Sequence, residues 1–177
     1  IRDFHHEFSG CFIRKYSQFF DIPSRAHAFA IVQVSRGHRK TNLMDEKEYP
    51  IALPLPGGST VCLPYLSALI RLADEIDVAA ARNPILLYDI AVLTDEIEIV
   101  ENKKVLAISR LDVSEKTLTL VMKPTEPEIK AELYRMAGKM QATLEYCRKA
   151  IWGRTPYTIT QERVILIEEG KEESIYE

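Results

Sequence analysis

Glycine and proline are scarce in this 177-residue chain, 7 and 9 in number, which excludes a collagen repeat and a low-complexity linker protein. Cysteine is scarcer still. Cys11, Cys62 and Cys147 are odd in number and contain no C-x-x-C pair, so neither a disulfide framework nor a thiolate zinc site is expected, and a reducing, cytoplasmic setting is the simplest reading. Charge of one sign is not in excess either. The 23 Lys and Arg against 26 Asp and Glu give a net charge of −3, which leaves no global positive field to draw nucleic acid or anionic lipid. No apolar run nears the ~20 residues of a bilayer span. Arg2, Asp3, Glu7, Arg14 and Lys15 crowd the first stretch, unlike a secretory signal, so no membrane partner is expected. The start at Ile1 rather than Met points to an excerpt from a longer protein.

What is present is an ordinary globular composition, 46% hydrophobic and 28% charged, enough for one sizeable domain or one domain with an appendage. On a helical wheel Ile1, Phe4, Phe8, Phe12, Tyr16 and Phe19 share one apolar sector opposite Asp3, Glu7 and Arg14, which predicts an amphipathic helix over 1–20. Ser24 then caps a second helix running to about Arg39. Lys40 to Pro64, with four prolines and Gly57-Gly58, reads as a long loop holding short extended pieces at most. Helical spacing returns from Tyr65 to Ala81, and Asn83-Pro84 opens a fourth helical segment.

The pattern changes after Asp95. Ile97 and Ile99 alternate with Glu96 and Glu98, and Val105–Val113 and Thr117–Val121 are β-rich around a turn at Ser114-Glu115-Lys116, so strands are expected. Thr125-Glu126-Pro127-Glu128 then starts a long helix along Ile129, Leu133, Met136, Met140, Leu144, Cys147 and Ile151, ending at Gly153. A last strand or strand pair precedes an acidic tail that frays. The expected fold is mostly α: a helical bundle over 1–94, followed by a smaller α+β part over 95–177 with a long helix.

Several residues in this pattern carry chemistry. The wheel turns His5 inward and His6, about 100° further round, towards the polar edge. In the second helix His27 and His38 share a stripe but stand about 16 Å apart along the axis, too far to ligate one ion together. In the third, Asp74 and Asp77 lie inside an apolar stretch, where a carboxylate is costly without a partner. Inward histidines on two helices and an inward aspartate on a third are how a bundle builds a metal site, with donors that suit Mn, Fe, Mg or Zn. The plainer alternative is a hydrogen-bonded core histidine and an Asp74–Arg71 pair one turn apart. Arg36, Arg39 and Lys40 beside His38, together with Arg71 and Arg82, are either a phosphate-binding set or ordinary helix-end cations. Gly57-Gly58 lacks the spacing of a phosphate loop.

Arg2-x-x-His5-His6-Glu7-x-Ser9, then Arg36-Gly37-His38-Arg39, then Leu69-Ile70-Arg71-Leu72-Ala73-Asp74-Glu75-Ile76-Asp77 with Arg82 beyond, resembles the HD superfamily of metal-dependent phosphohydrolases in order and separation. The nearest likeness is to bacterial HD domains joined to an Hsp90-type ATPase domain, and more distantly to the C-terminal helical part of exopolyphosphatases. The resemblance implies that His5, His38 and Asp74 hold a divalent metal, Mn, Mg or Fe, and that a phosphorylated small molecule or nucleotide is the ligand, with Arg39 and Arg71 on its phosphate. His6 and Asp77 are the second choices; the wheel places Asp77 nearer the apolar centre, whereas the family's Ala-Asp pattern selects Asp74.

One departure matters: the sequence contains no His-Asp dipeptide, the signature doublet of that superfamily. With the doublet either upstream of Ile1 or lost, the metal keeps three protein ligands at most, is weakly held, and this stretch alone is expected to be inactive. The expected function is therefore part of an HD-type phosphohydrolase. Its rivals are a non-catalytic HD-like module that senses a nucleotide or relays the state of an attached ATPase domain, and a purely structural scaffold.

Overall fold

The computed structural model of the chain describes residues 4–78 and 95–170. Among these, five α-helices and two small sheets make a mostly α protein with a smaller α+β part and a long C-terminal helix, as expected. The helix expected at Asn83-Pro84, Arg82, and the tail beyond Gly170 lie outside the described residues. No described helix is long and apolar enough to cross a membrane. The chain forms two compact units, Ile1–Glu75 with Glu145–Ile159, and Ile76–Leu144 with Thr160–Glu177.

In the first unit, α1 (His5–Tyr16) is followed by a 3-10 turn over Ser17–Phe19. Helix α2 (Arg25–Gly37) starts where Ser24, extended at its own backbone, accepts the amide proton of His27 on its hydroxyl at 3.3 Å. The long loop holds only the two-residue strands β1 (Leu53–Pro54) and β2 (Thr60–Val61), paired antiparallel. Helix α3 (Leu63–Ile76) follows. Leu43, Tyr49, Leu63 and Ala68 are fully buried in this unit, as are Cys147 and Ala150.

The aromatic sector of α1 is not its buried face. Phe8 is 57% exposed, and Phe4, Phe12 and Phe19 are exposed too, while His6 and Gly10, one turn apart, are buried. The physical reason is Gly10, whose missing side chain lets α2 approach: a Cβ there would stand 3.2 Å from Arg36 Cγ and 3.3 Å from Val32 Cγ1. Close helix packing selects the small residue over the aromatic stripe. The expected orientations of the adjacent histidines are corrected with it, since His6 is buried and His5 is half-buried.

The second unit opens its described part with a correction. Glu96–Leu106 is helix α4, where alternation of Ile97 and Ile99 predicted a strand. Asp95 accepts the Ile97 amide at 2.8 Å as N-cap, Glu96 and Glu98 sit at the positive end of the helix dipole, and Lys103 and Lys104 sit at the negative end. Two alternating isoleucines do not outweigh those signals, and Ile97 is left exposed. Strands β3 (Ile108–Val113) and β4 (Thr117–Met122) then form the expected hairpin, with the Ser114 amide donating to Thr117 O at 2.9 Å. Strand β5 (Arg163–Glu168) adds in parallel, giving the order β3-β4-β5.

Helix α5 (Pro127–Ile151) begins on a first-turn proline. Its stripe is buried as the spacing predicts, at Ile129, Leu133, Met140, Leu144, Cys147 and Ile151. Ile129, Leu133, Ala137 and Met140 pack with Ala107, Ile108, Leu120 and Met122 as the core of the second unit.

Candidate metal centre

The site is assembled where α1 meets the end of α2. His5 opens α1 and His38 is the C-cap of α2, and the two rings face each other with Nε2 to Nε2 at 2.7 Å. The Ser35 carbonyl lies against His38 Nδ1 and can only accept, so that nitrogen carries the proton and Nε2 presents its lone pair. His5 Nε2 is then the donor in the pair. A proton joins two nitrogens that a cation would otherwise share.

His6 completes a cluster of three imidazoles. Its ring centroid lies 6.1 Å from that of His5 and 6.2 Å from that of His38, edge to face with both. Burial pushes its pKa below the ordinary imidazole value, partly offset by the Glu7 carboxylate. Its Nδ1 is buried without a hydrogen-bond partner among the described residues.

Two devices hold the histidines in place. Glu7 on α1 accepts from Arg36 on α2 through Nε at 2.9 Å and Nη2 at 2.9 Å, a forked pair that fixes the rotation of one helix against the other. That contact holds the Glu7 carboxyl below its usual range and pushes the Arg36 guanidinium up. From α3, Arg71 Nε donates to Gly37 O at 2.9 Å, and its Nη2 donates to Thr41 O at 2.9 Å. Arg71 thereby anchors the backbone on both sides of His38.

Of the expected ligands, His5 and His38 are brought together. Asp74 is an exposed residue of α3, and Asp77 lies beyond the last residue of that helix, in the second compact unit. Among the described residues no group of three or more His, Cys, Asp and Glu side chains is placed to hold an ion. His27 is engaged elsewhere, its Nδ1 lying 2.8 Å from the Ser24 hydroxyl. Arg39 is half-buried in the turn after α2. Sequence reasoning passed over Glu7 as the fixing partner of Arg36, because residues 29 positions apart carry no local signal of pairing.

The chain belongs to the HD-CE family, whose model matches residues 1–159. No curated protein and no solved structure matches it.

Proposed function

We propose that this chain is part of an HD-type, metal-dependent phosphohydrolase, with His5 and His38 as its nitrogen ligands, Asp74 as its carboxylate ligand and Arg39 and Arg71 on the phosphate. The observation that carries the reading is the facing Nε2 pair at 2.7 Å. The donor chemistry fits a divalent cation in part: two neutral imidazoles already share one proton, and a third imidazole beside them has an orphan nitrogen. The carboxylate is not yet in the cluster, so an ion would be weakly held.

A bound divalent ion supplies an acidified water as nucleophile. The chain's own residues do the rest. Ser35 O fixes the tautomer of His38, the Glu7–Arg36 fork sets the distance of His5 from it, and Arg71 holds the turn that carries His38.

Titration calorimetry with Mn tests the reading. Weak binding is expected that is lost in His5→Ala and His38→Ala and reduced in Asp74→Asn, together with no turnover of a generic phosphomonoester by this stretch alone. Binding unchanged in both histidine variants would sink it. A second reading, a non-catalytic module that senses a nucleotide or relays the state of an attached ATPase domain of the Hsp90 type, is favoured by the exposure of Asp74 away from any described ligand group. Nucleotide binding without Mn, unaffected by the histidine variants, would select it.

A further inference from the structure

The packing of α1 against α2 leaves the opposite side of α1 as an aromatic face. Phe4, Phe8 and Phe12 follow at four-residue steps, and Tyr16, Phe19 and Phe20 continue the face as neighbouring rings. The Phe12 ring centroid lies 4.8 Å from that of Tyr16 and 6.0 Å from that of Phe20, and Tyr16 lies 6.2 Å from Phe19. These rings hold one another in place before anything docks. The phenylalanines among them are 50–71% exposed. At ~200 Å2 per side chain they present about 600 Å2 of apolar surface, the upper end of the largest patch on an ordinary monomer.

The charges around the face decide between a lipid surface and a protein. A helix that lies on a bilayer carries an excess of Lys and Arg on its polar side. Residues 4–21 hold Arg14 and Lys15 against Glu7 and Asp21, with no such excess. A second copy fits in area: two faces bury about 1,200 Å2 from the phenylalanines alone, where specific interfaces begin. It fits in charge also. Lys15, whose ammonium lies 5.3 Å from the Tyr16 ring centroid, would meet its own counterpart in a parallel pair and stands clear of it in an antiparallel one, where the helix dipoles also oppose.

We infer that α1 pairs with α1 of a second copy of this chain, antiparallel, across a two-fold axis at Phe12. The four-residue ladder from Phe4 to Phe20 is symmetric about Phe12, so this register sets Phe8 against Tyr16 of the partner subunit. It also brings Cys11 within ~3 Å of its own counterpart along the helix axis, a displacement of two residues. The pairing is independent of the metal-site reading, since the aromatic face and the His5–His38 pair share no residue.

Sedimentation velocity of the 177-residue chain over a range of concentrations is the test. Dimer mass is expected, with a dissociation constant on the order of 10 μM, the weak end for an interface of this area. Phe8→Glu sets an unpaired carboxylate into the symmetric interface twice and should weaken the dimer roughly hundredfold or more. Ile97→Glu, which changes a comparably exposed apolar residue on α4, should leave it intact. Circular dichroism of dilute samples checks that both variants fold. A short bis-maleimide needs no variant: it should link Cys11 to Cys11 in the native dimer, with Cys62 and Cys147 buried and silent. Monomer mass at concentrations ~100-fold above that constant overturns the inference, as does a dimer that Phe8→Glu leaves unchanged. Dimer mass without the Cys11 link overturns the antiparallel register, and flotation of a monomer with anionic vesicles replaces the second copy with a lipid surface.

Discussion

Gly37, the last residue of α2, and Ser67, in the interior of α3, are packed so closely that a Cβ on Gly37 would overlap both Cβ and Oγ of Ser67. Ser67 is fully buried and has nowhere to retreat. Gly37→Ala is therefore expected to cost about 1–3 kcal/mol, the usual range for overpacking, and to displace His38, the next residue, from His5. Chemical denaturation measures the first effect and Mn titration the second. Adding Ser67→Gly should recover a large share of the loss, since the two sites are in contact and couple. Full stability in Gly37→Ala alone would show that the helices separate freely.

The Glu7–Arg36 fork is partly exposed, with side chains 38% and 18% accessible, so its worth lies between that of a surface pair and a buried one. Glu7→Gln should destabilise by about 1–2 kcal/mol. Arg36→Lys keeps the charge and loses the fork, and should cost nearly as much. Urea melts of both singles and the double give the coupling. Strictly additive losses would remove this pair as the clamp between α1 and α2.

Burial pushes the Cys147 thiol up to about 11 from an ordinary value of 9.0. A thiol whose folded pKa is raised contributes stability that is whole below about pH 9 and drains away as pH climbs towards 11, because the unfolded chain gives up its proton first. Two pKa units correspond to about 2–3 kcal/mol at most. Cys147→Ala should be less stable at neutral pH yet lose less between pH 9 and 11, and the difference between the two melting curves isolates the thiol from Lys and Tyr. Parallel curves across that window would contradict it. In the native protein Cys11, which is exposed, should react with a thiol reagent before Cys147 does.

Leu133 and Phe8 make opposed predictions from similar sequence patterns. Leu133 is fully buried in the second unit's core, so Leu133→Ala should cost about 3 kcal/mol. Phe8→Ser should fall within about 0.5 kcal/mol, the range of exposed positions, although the helical wheel puts Phe8 in an apolar sector. A loss at Phe8 comparable to that at Leu133 would place the aromatic stripe in a core after all.

The long helix α5 shows where periodicity suffices. α5 runs for 25 residues, and six of its seven stripe positions are buried, with Met136 half-buried; the buried Ala137 and Ala150 lay outside the stripe because alanine adds little to the hydrophobic pattern. The α4 segment shows where it fails: its β-like signal came from Ile97 and Ile99 alone, while the capping Asp95 and the charge gradient along the helix held the deciding information. For α1 the wheel identified a helix with an apolar sector, and only the neighbour could decide which sector faces it. Gly10 contributes nothing to hydrophobic periodicity, yet its closeness to Val32 and Arg36 turned His6 inward.

The sequence by itself determined that this is a mostly helical chain with a β-rich hairpin and a long final helix, because capping residues, turn residues and repeated apolar spacing act within a few positions of one another. It also identified His5 and His38 as a pair through their place in a motif order. Tertiary structure alone decided that their Nε2 atoms stand 2.7 Å apart, that Glu7 pairs with Arg36 across the two helices, and that Tyr146, more than a hundred residues along the chain, reaches back to Thr41 and Asn42. Those contacts join residues distant in the chain. Their energies depend on how helices rotate and approach, which a local pattern does not encode.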